Sequence, residues 1–146
     1  MKWMTLSDKK ATLKEFLSKY NHKDWNLFIG TDSQTKGRRT KFSTVLLAWK
    51  EGYGAFAIKH CSISFNIRNL RDQLIQETWL SIESAQNVQT HVGKEIIIHL
   101  DVNTNPKYKS GKYKNELTGF VKGFGFKYEL KPNSWVASSI ADRCVR

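Results

Sequence analysis

The run Glu95-Ile-Ile-Ile-His-Leu-Asp-Val-Asn103 constrains the fold more than any other stretch of the chain. Its continuous apolar centre has no polar face, so a strand here must be covered on both sides, as in the sheets of α/β proteins. Side chains alternate along a strand, which puts His99, Asp101 and Asn103 on one face and Asp101 at the strand's carboxyl end. A similar arrangement occurs earlier. Leu27 to Ile29 climbs out of a polar neighbourhood and delivers Asp32 within Phe28-Ile-Gly-Thr-Asp-Ser-Gln34. Gly30 permits close approach of backbone or ligand, and Thr31, Ser33 and Gln34 offer hydrogen bonds around the acid. Taken alone, this stretch fits an Asp that starts a turn equally well. Two such strands side by side would bring two carboxylates together, and like charges that close need a cation. His99 reads as a hydrogen-bonded core histidine in preference to a ligand.

The segments between these strands suggest how the sheet is built. Ser7 to Tyr20 has the pattern of a short amphipathic helix, with Ser7 as cap, Leu13, Phe16 and Leu17 as its stripe and Asn21 at its end. After a first strand over about Asn26 to Asp32, Thr35 to Lys41 is a Gly-containing turn carrying Lys36, Arg38, Arg39 and Lys41. Phe42 to Trp49 and Ala55 to Phe65 read as two further strands, joined by Glu51-Gly-Tyr-Gly54, which makes an antiparallel meander. A long helix over about Asn69 to Gln89 follows. At 100° per residue, Leu70, Leu74, Ser81, Ala85 and Val88 form one stripe, widened by Ile75 and Ile82. Glu77 falls at the margin of that stripe, facing the sheet, whereas Asp72, Gln76, Glu83 and Asn87 gather on the opposite, solvated side. A charge at the margin costs free energy unless it is paired or bound to a metal. A basic loop over Thr104 to Lys114 carries Lys107, Lys109, Lys112 and Lys114. A short helix over about Asn115 to Lys122 and a strand over Phe126 to Leu130 lead to a last helix, capped by Asn133 or Ser134. On it Trp135, Ser138, Ser139 and Asp142 share a face by helical spacing.

Charge narrows the partners. A formal net charge of +11 and a pI near 9.7 favour a polyanion, nucleic acid first and an anionic membrane surface second. With only 13 Asp and Glu against 24 Lys and Arg, the position of each acid carries information. The length of 146 residues suits one domain spanning the chain. No apolar run approaches the roughly 18 residues of a membrane span, and the N-terminus has no signal-peptide core. Cys61 and Cys144 lack metal-ligand spacing and read as reduced, buried thiols of a cytoplasmic protein. There is no Gly-Lys-Ser/Thr phosphate loop, no HExxH pair and no paired-cysteine zinc site.

The order strand, strand, strand, helix, strand, helix, strand, helix resembles the ribonuclease H-like fold. That resemblance implies a mixed five-stranded sheet, an antiparallel three-strand meander followed by two more strands, flanked by helices. The segments FIGTDSQ, HLDVN and KPNSWVASSIAD also resemble the YkuK-like family, a group assigned to this fold, and the likeness covers Phe28 to Asp142. The family pattern has Asp where this chain has Asn133. Were that Asp a ligand, Asn133 would weaken the site, whereas a helix cap is served equally well by Asn. In the superfamily, acids at such positions hold two divalent ions for phosphodiester chemistry. Carried onto this chain, Asp32, Glu77, Asp101 and Asp142 are the expected catalytic and metal-binding residues, with two Mg2+ or Mn2+ ions as cofactors. Two ions about 3.5–4 Å apart can activate a water and neutralise the leaving oxygen, and magnesium's preference for oxygen ligands suits three or four carboxylates. Lys36, Arg38, Arg39, Lys41, Lys107, Lys109, Lys112 and Lys114 are the expected nucleic-acid contacts. The expectation is therefore a metal-dependent nuclease, with a non-catalytic nucleic-acid-binding module on the same fold as the alternative and no membrane partner.

Overall fold

In the computed structural model, residues 1–145 are described, without the side chains of Ala137 and Ser138. A six-stranded sheet has the order β1-β4-β3-β2-β5-β6, one strand more than the sequence suggests. The meander is β2 (Asn26–Lys36), β3 (Arg39–Lys50) and β4 (Gly54–Ser64). The β2–β3 turn narrows to Gly37-Arg38, with Gly37 at φ 63°, so Lys36 and Arg39 pair across the hairpin. A positive φ at the first central position is the geometry for which glycine is needed in a two-residue connection. β5 (Ile96–His99) lies parallel to β2, and β6 (Lys127–Glu129) lies parallel to β5.

The extra strand, β1 (Met4–Thr5), pairs antiparallel with β4. It also moves the start of the first helix. Residues after Thr5 turn back through Asp8, at φ 67°, and Met4 bridges to Lys10. Helix α1 is therefore Leu13–Tyr20, and its cap is Thr12, not Ser7; the Thr12 hydroxyl accepts from the Glu15 amide at 3.2 Å. Leu13, Phe16 and Leu17 form its buried stripe, and Asn21 ends it.

Each face of the sheet has its own cover. On one face α1, α2 (Leu70–Gln89) and α3 (Lys114–Gly123) pack over Leu27, Ile29, Leu46, Ile96 and Ile98. On the other, Phe28, Val45 and Leu47 pack against the C-terminal helical segment through Val136 and Ala141. β5 is thus covered on both sides, as its unbroken apolar run requires. Fully burying an aliphatic side chain such as Ile98 is worth about 1.5–3 kcal/mol, so β5 anchors the sheet although it is short. Among the described residues, no helix is long and apolar enough to cross a membrane.

The C-terminal helix departs most from the α-periodicity read in the sequence. Val136–Ala141 is π-helical, with a wider turn, and only Asp142–Val145, α4, returns to α geometry. The spacing that put Trp135, Ser138, Ser139 and Asp142 on one face does not hold across a π turn. Ser139 is exposed, whereas Trp135 and Asp142 are half-buried; the side chain of Ser138 lies outside the described residues. Ser134, fully buried, occupies the position before the helix, and Asn133 is exposed. Cys61 and Cys144 are free thiols, half-buried rather than buried.

Candidate metal centre and nucleic-acid interface

β2 and β5 run side by side only as far as the pair Gly30–His99. Beyond it β2 continues with β3 alone to Lys36, while the chain after β5 turns towards β6, with Leu100 N–H donating to the Glu129 carbonyl at 3.0 Å. Asp32 and Asp101 are each two residues past this parting point. Alternation puts both on the face covered by the C-terminal helix, because Phe28 and His99 lie on that face. Asp101 is thus just past the strand, whose ladder is shorter than the apolar run.

Glu77 reaches the same place from the opposite face, at the gap the parting leaves. Helix α2 is capped by Asn69, whose side chain accepts from the Asp72 amide at 2.8 Å. Buried hydrogen bonds reinforce the rotation set by its apolar stripe: Ser81 Oγ lies 2.7 Å from Thr31 Oγ1, which lies 2.9 Å from Thr44 Oγ1. One turn from Ser81, Glu77 is 7% exposed, while Glu83 is exposed on the far side. Ser33 ties two of the acids together: its amide donates to Asp32 Oδ1 at 2.8 Å and its hydroxyl to Glu77 Oε2 at 2.5 Å. Gln73 Nε2 donates to the same hydroxyl at 2.7 Å. Between Thr31, Glu77, Ser81, His99 and Asp101 is a recess with a cavity volume of about 10 Å3, room for about one water-sized group.

Asp32 and Glu77 are both perturbed by burial and by neighbouring acids. Burial pushes the Asp32 carboxyl up to about 7; the Ser33 amide opposes the shift, and the Asp101 charge and a hydrogen bond shared with Asp142 add to it. Burial also raises Glu77 well above the usual carboxylate range, helped by the charge of Asp32 and then of Asp101, with Ser33 and Lys131 opposing. Carboxylates that share one site resist ionising together. Asp32 thus feels Asp101 and Asp142, and Glu77 feels Asp32 and Asp101. Among the described residues, no group of three or more acidic, histidine or cysteine side chains is closed tightly enough to hold an ion. Asp101 instead pairs with Lys131 at 2.7 Å, a cationic partner that the sequence does not reveal because Lys131 lies 30 residues away, beyond β6.

His99 proves to be a core histidine with a specific task. Its Nδ1 accepts the backbone N–H of Val136 at 3.1 Å, and its ring packs on Phe28 and Trp135. Burial lowers it to about 4, so the ring is neutral and carries its proton on Nε2. It secures the start of the segment that carries Asp142.

The basic residues fall into two groups, each continuous in the chain with one of the acids. In the hairpin, Lys36 pairs with Arg39 and Lys41 with Gln34, two rungs beyond Asp32–Ser43. Gln34, Lys36, Arg39 and Lys41 line a cavity of about 170 Å3 with Val145 of α4, which sets these side chains on the face of Asp32. Arg38 is at the exposed tip. In the second group, Lys107, Lys109 and Lys112 are exposed in the loop that begins three residues after Asp101, and Lys114, half-buried, is the first residue of α3. That loop folds tightly on itself: a Cβ on Gly111 would stand 2.1 Å from the Asn105 carbonyl oxygen, so only glycine fits there.

Sequence comparison agrees with this architecture. The ribonuclease H-like family matches residues 9–146. The chain is also 31% identical to YkuK, an uncharacterized protein of Bacillus subtilis (strain 168), over 98% of this chain and 92% of that protein. With the open mixed sheet and its helices, these matches establish that the chain belongs to the ribonuclease H-like family, as a YkuK-like member.

Proposed function

We propose that the protein is a divalent-metal-dependent nuclease that hydrolyses phosphodiester bonds, with Asp32, Glu77, Asp101 and Asp142 as its metal-binding carboxylates. The observation that carries this reading is the gathering of Asp32, Glu77 and Asp101 near the parting of β2 and β5, with Asp142 hydrogen-bonded to Asp32 and with the carboxyls of Asp32 and Glu77 raised by burial and by their neighbours. In a chain of net charge +11, stability alone gives no reason to gather like charges there. An all-oxygen donor set suits Mg2+ or Mn2+. Bound there, two such ions supply a nucleophilic water near neutral pH and neutralise charge on the leaving oxygen.

The chain's own residues do the rest. Ser33 orients Asp32 and Glu77 through its amide and hydroxyl. His99 holds the helix that brings Asp142 to Asp32. Lys36, Arg39 and Lys41, on the face of Asp32, suit the phosphates of a bound strand, and Lys107, Lys109, Lys112 and Lys114 suit those nearer Asp101. Tyr108, exposed in that loop, offers a ring for a base to stack on.

Two measurements test this. Nicking of single-stranded, duplex and hybrid substrates is expected to require Mg2+ or Mn2+ and to fall about a hundred- to a thousandfold in Asp101→Asn, in the range of a lost electrostatic stabiliser. Binding without cleavage in both proteins would instead identify a nucleic-acid-binding module that has kept the fold. Neutralising Lys36, Arg38, Arg39 and Lys41 together is expected to weaken binding on all sequences. The slope of log K against log salt should fall by about one for each phosphate no longer neutralised. An unchanged slope would assign the interface to Lys107 through Lys114.

A further inference from the structure

Lys131 is a cation in direct contact with the carboxylate cluster, and its position suggests more than charge balance. Its ammonium is 2.7 Å from Asp101 Oδ1, and its charge also favours ionised Glu77. The backbone that carries it is pinned on both sides. Lys131 N–H donates to the Val102 carbonyl at 3.2 Å, and in the following turn Asn133 N–H donates to the Leu130 carbonyl at 2.7 Å. Only the four-carbon side chain is left to move, and it is 40% exposed. Lys131 also lines an open cleft of about 380 Å3 together with Asn103, Thr104 and Pro132. Lys131 is therefore at once the ion-pair partner of Asp101 and part of the lining of a solvent-open cleft.

We propose that Lys131 is an exchangeable counter-ion: it holds Asp101 until a divalent cation takes that carboxylate, and the released ammonium then binds a backbone phosphate of the nucleic acid in the Asn103–Pro132 cleft. This rests on the reading of the cluster as a metal centre. The residue type fits the task. A lysine is a compact, hydrated point charge on a flexible stem, whereas an arginine would grip the carboxylate with a rigid fork and give it up less readily. A half-exposed pair of this kind is weak enough to exchange. The cleft's lining also holds the hydroxyl of Thr104 and the side-chain NH2 of Asn103, whose backbone N–H is taken by Ser110 Oγ, both donors for an anion. The same exchange accounts for why the acids meet without closing on one point: Asp101 is turned to Lys131 and Glu77 to Ser33.

The test uses the intact chain and MnCl2, with calorimetry as readout in place of turnover. Lys131→Met is expected to bind Mn2+ about two- to fivefold tighter than wild type, the range set by a half-exposed ion pair, and Lys131→Arg to bind it no tighter. Lys127→Met, whose lysine pairs with Glu95 at the opposite end of the sheet, removes the same charge away from the cluster and should leave Mn2+ affinity unchanged. A cleavage-resistant phosphorothioate oligonucleotide should bind wild type more tightly when Mn2+ is present, and Lys131→Met should lose that gain. Equal Mn2+ affinity in wild type and Lys131→Met, or an equal rise in Lys127→Met, overturns the exchange while leaving the metal centre standing. An oligonucleotide gain that survives in Lys131→Met likewise overturns it. Absence of Mn2+ binding in wild type and Lys131→Met alike overturns the metal centre and the exchange with it.

Discussion

In the absence of divalent ions, Asp32→Asn is expected to melt about 6–12 °C above wild type at pH 8, a gain of roughly 2–4 kcal/mol. The wild-type carboxyl, pushed up to about 7 by burial and by its acidic neighbours, must ionise against both at that pH. A three-unit shift corresponds to about 4 kcal/mol, and partial exposure to solvent reduces it. An asparagine fits the same contacts: its oxygen can still accept from the Ser33 amide, and its NH2 can donate to Asp142 where two carboxyls now share one hydrogen bond. Addition of Mn2+ should reverse the ranking, raising the melting temperature of wild type by mass action on the folded state and leaving the variant unmoved. A destabilised Asp32→Asn, together with a wild type indifferent to Mn2+, would mean that these acids serve the fold through their basic partners.

The pH dependence adds a second signature to the same variant. Asp32 and Glu77 are raised, so the folded protein keeps protons that the unfolded chain has lost; the stability they contribute is present below about pH 4 and fades as the pH rises through about 7 for Asp32. His60 and His99, lowered to about 4 by burial, work the other way: their contribution is present above about pH 6.5 and is lost as the pH falls through about 4. The two trends oppose each other in wild type. Asp32→Asn removes one side of the balance, so its advantage should be small near pH 4 and grow through pH 7. Urea melts across that range measure the difference directly. A constant offset would remove the raised carboxyl from the account.

His99→Ala should be the most damaging single change in the site, costing about 3–5 kcal/mol. It empties a fully buried position between Phe28 and Trp135 and strands the Val136 amide, whose partner is His99 Nδ1. The loss should concentrate in one place. Amides of residues 135–145 should lose hydrogen-exchange protection while β2, β3 and β5 keep theirs, because the C-terminal segment alone depends on this bond. His99→Asn returns an acceptor near the position of Nδ1 and should recover part of that protection. If Asn and Ala behave alike, packing outweighs the hydrogen bond. With the helix released, Asp142 leaves Asp32, so Mn2+ should stabilise His99→Ala less than it does wild type.

Much of this molecule is dictated locally. The unbroken apolar run Ile96 to Ile98 requires a strand covered on both faces, and β5 is one. The stripe of α2 turns Glu77 inward and Glu83 outward, because a helix's rotation is fixed by burial of its apolar side chains wherever the helix lies. Glycine-bearing turns at Gly37 and Gly52 limit the meander to short connections, since positive φ is available there at little cost. Those signals are period and turn chemistry, and both are readable within a few residues.

Other features depend on partners distant in sequence. Two residues of β1 have no period of their own and become a strand only because β4 offers an edge to Met4 and Thr5. That pairing in turn delays the start of α1 to Leu13. The π turns of Val136–Ala141 break the spacing that α-helical reading assumes; the segment is anchored by a bond from His99, 37 residues earlier. The partner of Asp101 arrives from beyond β6, in Lys131. The sequence by itself determined which acids sit in apolar surroundings, because burial pattern is a property of each segment. Only the tertiary structure decided that they meet where β2 and β5 part, and which groups hold them there, because that depends on strand order and on how far each ladder runs.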